Sequence, residues 1–263
     1  MIALSPLDLV LAGGAVVVLA VAGWRARLGV SRRLLWLACR ASAQLLLLGL
    51  VLRFVLGTTR PLVVGGVALL MLVVAAREVK ARQTRPLAGR WGYLVGVLAM
   101  FLSSFLCAAF ALAVILGPEP WWAPRFSVPL LGMLLGNTMN GVSLSMERLT
   151  EAVVRSREVI EQRLALGEPR DAAVSDLLRE SARAGLIPIF NSMAAAGIVS
   201  LPGMMTGQIL AGAPAGEAVR YQILILLLIA AGTGFGVLGA VRIASRRLFD
   251  DRHRLRLDRL ESR

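Results

Sequence analysis

The chain has 263 residues, 57% of them hydrophobic, with a mean hydropathy of +0.73 and a formal charge of +13 at pH 7. That composition excludes an ordinary soluble globule and describes a polytopic membrane protein. With two cysteines, both inside apolar stretches, and one histidine in a basic tail, neither a disulfide framework nor a dedicated zinc site is expected.

The N-terminal stretch lacks a basic segment and carries Asp8, so residues 4–24 read as a retained span rather than a signal peptide. The loop RARLGVSRR leads to a second span over 34–56, which holds Arg40 and Gln44. An arginine near mid-span costs about 2.5–3.5 kcal/mol on insertion scales. Arg40 lies six residues from the start of this span, close enough to snorkel to the cytoplasmic side. Anchoring and a functional role both fit it, and Gln44 shares its face one turn on. Further spans are expected over 62–76, 91–116, 128–145, 184–210 and 219–243. The Trp121–Trp122 pair before the fifth suits a membrane–water interface.

The predicted fold is therefore all-α, with about seven transmembrane helices in one transmembrane domain over 1–263. The loops 25–33, 77–90, 146–183 and 242–263 carry 24 Arg and Lys residues, against three on the opposite loops. Positive charge collects in the cytoplasm, so the N-terminus is expected outside and the C-terminus inside, across a cell inner (plasma) membrane. This asymmetry accounts for the charge without nucleic acid. Residues 146–183 then form a cytoplasmic helical hairpin and 244–263 a charged cytoplasmic tail.

The sequence lacks a G-x-x-x-x-G-K-[ST] phosphate loop, an H-E-x-x-H pair and a G-x-S-x-G elbow. The spans assemble no nucleophile, base or metal cluster, so an enzyme is not expected.

Polar groups cluster late in the chain. Asn137, Met139 and Asn140 lie in GMLLGNTMNGVSLS, with the two asparagines three apart on one helix face. Asn191, Met193, Met204, Met205, Thr206 and Gln208 lie in NSMAAAGIVSLPGMMTGQILAG, where Pro202 and Gly203 break the helix. Broken backbone at membrane depth is tolerated where it is buried in protein or lines a watery cavity. A substrate path is one reading of this cluster; helix packing through small residues and interhelical hydrogen bonds is the other.

The hairpin segment MERLTEAVVRSREVIEQRLAL is amphipathic, with Gly167 as its stop. Glu168 and Pro169 restart a helix, giving an exposed tip of Leu166, Gly167, Glu168, Pro169 and Arg170. It reads as a solvated hairpin or as a docking knob. As a knob, Glu161 and Arg170 would set register, and Leu164 and Leu166 would supply apolar contact. The interval from Glu161 to Gly167 has the spacing of the E-A-A-x-x-x-G signature of ATP-binding-cassette permeases, with Gln162 and Arg163 in place of the alanines.

On these residues the chain resembles the FetB-like family of ATP-binding-cassette permeases, described as bacterial iron exporters with plant relatives linked to aluminium tolerance. The matching pieces are Arg40-Ala41 with Gln44-Leu45, Gly136-Asn137-x-Met139, LALG at 164–167, IVSLPGMMTGQILAG at 198–212 and RYQI at 220–223. The resemblance implies a homodimer of permeases over a separate cytoplasmic ATPase that uses the ATP, with no cofactor bound by this chain. Membrane lipid is the surrounding partner. Iron(II) and aluminium prefer oxygen or imidazole ligands; the spans offer amides, hydroxyls, carbonyls and thioethers but no central carboxylate or histidine, and thioethers suit softer ions such as Cu(I). Metal ligands are therefore left unassigned. An organic substrate such as a nucleotide sugar, or a scaffold or receptor that transports nothing, stands as the alternative.

Overall fold

The computed structural model describes residues 5–58, 60–117 and 119–261, and among these every regular element is a helix. Helix starts follow local chemistry. At the head of α1 (Pro6–Arg25) the Ser5 hydroxyl accepts from the Asp8 N–H at 3.3 Å, and the Asp8 carboxylate accepts from the Ser5 N–H at 2.7 Å. This reciprocal pair is a capping box. A tight loop with Arg27 and Gly29 at positive φ (52° and 69°) turns the chain into α2 (Ser31–Leu56). These two helices form one compact unit, which ends at Thr58.

The second unit holds the rest. Proline at the first turn opens α3 (Pro61–Arg82), where its missing N–H is harmless. The next rod is α4 (Trp91–Met100) and α5 (Leu106–Phe110), continued by π-helical turns at Phe101–Phe105 and Ala111–Leu116. Then come α6 (Pro124–Arg155), α7 (Arg157–Ala165), α8 (Arg170–Ala173), α9 (Ser175–Ala195), α10 (Gly203–Leu210) and α11 (Ala215–Arg247). The core lies where α3, the α4–α5 rod, α9 and α11 surround α6. On α6, Leu131, Leu134, Leu135, Thr138, Val142, Ser145, Met146, Leu149 and Val153 are all buried. Their three-and-four spacing is one continuous helical face.

Among the described residues, five stretches are long and apolar enough to cross a membrane: Leu7–Arg25, Ser31–Leu56, Pro61–Arg82, Trp91–Leu116 and Ala215–Arg247. The two other expected spans take a different form. The fifth lies inside α6, a 32-residue helix about 48 Å long at 1.5 Å per residue. It runs without interruption past Ser145 into the region expected as a separate hairpin. The sixth is divided between α9 and α10 by an irregular segment over 196–202.

The C-terminal residues expected as a charged tail are a folded strap. Leu248 and Phe249 are buried, and the Arg256 N–H donates back to the Leu248 carbonyl at 2.8 Å. The Ala88 N–H donates to the Arg259 carbonyl and the Glu261 N–H to the Pro86 carbonyl, tying the strap to the loop before α4. Lys80 Nζ completes the tie with Glu261 Oε1 at 3.0 Å. The turn itself is centred on Asp250, whose carboxylate accepts the N–H groups of Arg252 and Arg254 and the Arg254 guanidinium.

The Arg254 backbone N–H, helped by the Arg254 guanidinium and the Arg252 N–H, holds the Asp250 carboxyl below its ordinary value. A lowered carboxyl stabilises the fold at pH values above its unfolded value, and that contribution is lost as pH falls through the folded one. Protection factors at 250–256 should therefore fall on acidification below the ordinary carboxylate range, an acceleration of exchange relative to the intrinsic rate at each pH. Asp250→Ala should show the same acceleration at neutral pH, with the helical spans still protected.

Candidate functional site

α6 and α9 meet backbone to backbone, and α11 packs Thr233 and Val237 side chains into the same crossing. A Cβ on Gly185 would lie 2.7 Å from the Gly141 carbonyl oxygen and 2.7 Å from Ser145 Cβ. A Cβ on Gly141 would lie 2.8 Å from Thr233 Cγ2 and 2.9 Å from the Gly185 carbonyl oxygen. No other residue allows this approach. Gly141 lies within the polar stretch GMLLGNTMNGVSLS, whereas Gly185 and its α11 counterpart, Gly236, lie outside both polar stretches of the sequence. The signal for Gly236 was the four-residue interval from Gly232, a small-xxx-small pattern.

Beside this crossing lies a buried hydroxyl cluster that sequence reasoning missed. The first π turn brings Ser103 and Ser104 into the core, and Ser104 Oγ donates to Thr138 Oγ1 at 3.3 Å. Gly236 admits them: a Cβ there would sit 2.4 Å from Thr138 Cγ2 and 2.9 Å from Ser103 Oγ. Ser103 Oγ, Ser143 Oγ and Thr233 Oγ1 are buried without hydrogen-bond partners. π turns occur frequently at functional sites.

The predicted pathway residues divide. Asn137 is exposed, and its amide donates to the Met133 carbonyl of its own helix at 2.8 Å. Asn140 is exposed and accepts from Arg82 Nη1 at 2.6 Å. Just beyond it, Glu147 accepts the Thr84 N–H and hydroxyl at 2.8 and 2.5 Å, so 140–147 is a polar clasp between α6 and the end of α3. Asn191 and Met193 are also exposed. Met139 and Met204 are half-buried and pack against the core, and Met205 is buried. Thr206 donates to the Pro202 carbonyl. Gln208 on α10 and Gln222 on α11 each bury an amide oxygen without a donor. Gln222, within the RYQI motif, was not singled out as a site residue. Among the described residues no group of three His, Cys, Asp or Glu side chains converges as a metal site. In the first unit, Arg40 is half-buried on α2 and Gln44 exposed.

The helix break is wider than Pro202 and Gly203. α9 ends at Ala195, Gly197 adopts φ 80°, and Pro202 caps α10. The Ala195 carbonyl accepts the N–H groups of Val199 and Ser200, which folds the gap into a turn. Ile198, Val199 and Leu201 project from it with 68–89% of their surface exposed.

At the predicted coupling tip, Gly167 takes φ 92° directly after α7. Its N–H donates to Leu164 O, and the Glu168 N–H donates to Arg163 O. Together these make a Schellman cap. Pro169 precedes the restarted helix, and α8 lasts only four residues before the chain bends at Val174 into α9. Arg163 staples the turn, donating to Glu168 Oε2 at 2.7 Å and to the Ala173 carbonyl at 3.2 Å. In sequence Arg163 stands only as a departure from the alanine of the E-A-A-x-x-x-G signature. Glu161 pairs with Arg157, Arg170 lies 3.8 Å from Asp171, Leu164 packs on the core and Leu166 is 86% exposed. A cleft of about 750 Å³ separates this tip from Arg252, His253 and Arg254 of the strap.

Comparison with known proteins matches residues 6–249 to a family model described as an uncharacterised protein family, UPF0014. The UPF0014 membrane protein slr1647 of Synechocystis is 36% identical over 87% of each chain. The "Probable iron export permease protein FetB" of Escherichia coli is 30% identical over 94% of this chain and 93% of its own. The protein ALUMINUM SENSITIVE 3 of Arabidopsis thaliana is 30% identical over 76% of this chain and 71% of its own. No solved structure matches.

The glycine crossing predicts a sharp contrast. Gly185→Ala should destabilise the protein by about 1–3 kcal/mol, because its Cβ meets backbone that cannot rotate away. Gly207→Ala, in open space on α10, should leave the melting temperature in detergent within error of the parent.

Proposed function

The chain belongs to the UPF0014 family and is a multi-pass membrane protein, and from that premise we propose that it is the transmembrane permease subunit of an ATP-binding-cassette transporter that exports metal ions, iron first among them. Its partners are a cytoplasmic ATPase, which hydrolyses the ATP, and a second copy of itself in the cell inner membrane. The relative of E. coli is named as an iron export permease, which supports the transport class and suggests the cargo.

Seven spans with the N-terminus outside and the C-terminus inside agree best with the charge distribution. The polar clasp at 140–147 supports a crossing that ends there, and the α9–α10 pair supports an interrupted crossing. The observation that carries the pathway is the exposure of Asn137 and Asn191 on α6 and α9, within two of the expected spans. Amides facing lipid are costly. Neither forms an interhelical hydrogen bond among the described residues, so packing glue does not account for them. A cavity or second protomer does. The path would pass these amides, the turn at 196–202 and the residues from Met204 to Gln208. Amide and hydroxyl oxygens suit a weakly held hard cation in transit.

Proteoliposomes holding this chain and its ATPase test the reading. Iron(II) should stimulate ATP hydrolysis and cross the bilayer, and Asn137→Leu with Asn191→Leu should lower transport about tenfold or more while the complex still assembles. Full transport in that double variant would reduce the cluster to packing. Stimulation by a nucleotide sugar instead of iron would move the substrate to the organic class.

The power stroke would enter through the tip at 166–170 and its facing strap. Gly167→Pro removes the N–H bonded to Leu164 and demands φ near −65° where the chain holds 92°. The variant should insert normally yet lose ATPase co-purification and transport together. If both survive, docking lies elsewhere, with the 77–90 loop next in line.

A further inference from the structure

The loop joining α1 and α2 concentrates positive charge that nothing in its own unit answers. Arg25, Arg27, Arg32 and Arg33 fall within nine residues. The one acid in residues 1–58 is Asp8, 17 positions away along α1 and already bonded to Ser5. α2 also starts against ordinary helix electrostatics. Its first turn holds no acid but two arginines, and Val30 at the N-cap offers no side-chain acceptor. The leading N–H groups carry partial positive charge, so adjacent arginines are repelled and an anion is favoured.

A cavity of about 460 Å³ opens at this point within the hairpin, lined by Leu19, Leu28, Leu34 and Leu37 together with Ser31 and Arg33. The Ser31 hydroxyl oxygen is buried and has no hydrogen-bond partner. Gly23 on α1 lets that oxygen pack close to the helix, since a Cβ there would come within 3.2 Å of it. An apolar cleft ending in an unpaired hydroxyl, free helix N–H groups and guanidiniums has the chemistry of one kind of ligand, an acyl chain joined to a phosphate.

We propose that this pocket binds an anionic phospholipid, with the phosphate at the N-terminus of α2 between the Ser31 hydroxyl and the Arg33 side chain, and an acyl chain in the cleft. A free phosphate or nucleotide would leave the leucine walls unused. A neutral lipid would leave the arginines uncompensated. Basic pockets between membrane helices at the headgroup level are suited to anionic lipids.

The test uses the full chain in detergent, titrated with phosphatidylglycerol or phosphatidylcholine and read by native mass spectrometry. The parent should retain phosphatidylglycerol with about tenfold preference. Ser31→Ala with Arg33→Gln should abolish that preference. Arg25→Gln, which removes the same charge outside the cleft, should keep it. If the double variant fails to fold, Ser31→Ala alone, which changes no charge, should still weaken retention. The proposal is overturned if the parent shows no preference, or if Arg25→Gln and Arg33→Gln lower it equally, which would mean diffuse attraction. Displacement of the lipid by millimolar inorganic phosphate would likewise overturn it, leaving only a free-anion site.

Discussion

Close approach of backbone to backbone at Gly141 and Gly185 governs the second unit. In a membrane the hydrophobic effect does not drive helices together, because lipid is as apolar as leucine. Association depends on van der Waals contact, and contact is densest where side chains are absent. The glycines place a carbonyl of each helix where the other's Cβ would be. α11 fits into the same crossing through Thr233 and Val237. The helices that hold the candidate pathway are thus set by a contact smaller than any side chain.

That contact brings hydroxyls with it. Ser103, Ser104, Thr138, Ser143 and Thr233 are small enough to follow the glycines into the core, and three of them end without partners. Unpaired buried oxygens disfavour the arrangement. A packing interface that is close yet incompletely bonded is one that can exchange for another, which alternating access requires of a permease. The π turns in the α4–α5 rod and the interruption between α9 and α10 lie in helices of the same bundle.

Toward the polar end of α6 the logic reverses. Charges make the contacts there: Arg148 with Glu180, Arg242 with Asp171, Lys80 with Glu261, and Arg163 with Glu168. Individually, exposed pairs contribute about 0–1 kcal/mol. Their value is geometric. They link α6 to α9, α11 to α8, α3 to the strap, and α7 to the turn at Gly167. A force applied to that tip is shared with α6 and α9, which continue directly into the apolar core.

Several features were legible in the residues alone. The all-helical membrane class followed from apolar length, the charge asymmetry from counting arginines, the stop at Gly167 from glycine's access to positive φ, and the interruption before Gly203 from Pro202. These are local properties, written in one segment at a time. The pathway residues were legible only as a list. Asn137 and Thr138 are neighbours in sequence, yet Thr138 enters the core and Asn137 faces outward, because the face of α6 is chosen by the helices packed around it. Gly185 and Gly236 gained meaning from what stands opposite them, and the tail became a strap because Pro86 and Ala88 offered it backbone partners. Sequence by itself determined which segments are helical, apolar or interrupted, since propensity and hydropathy act within a few turns. Only the tertiary structure decided which groups face core, lipid or one another, since that depends on atoms far apart along the chain.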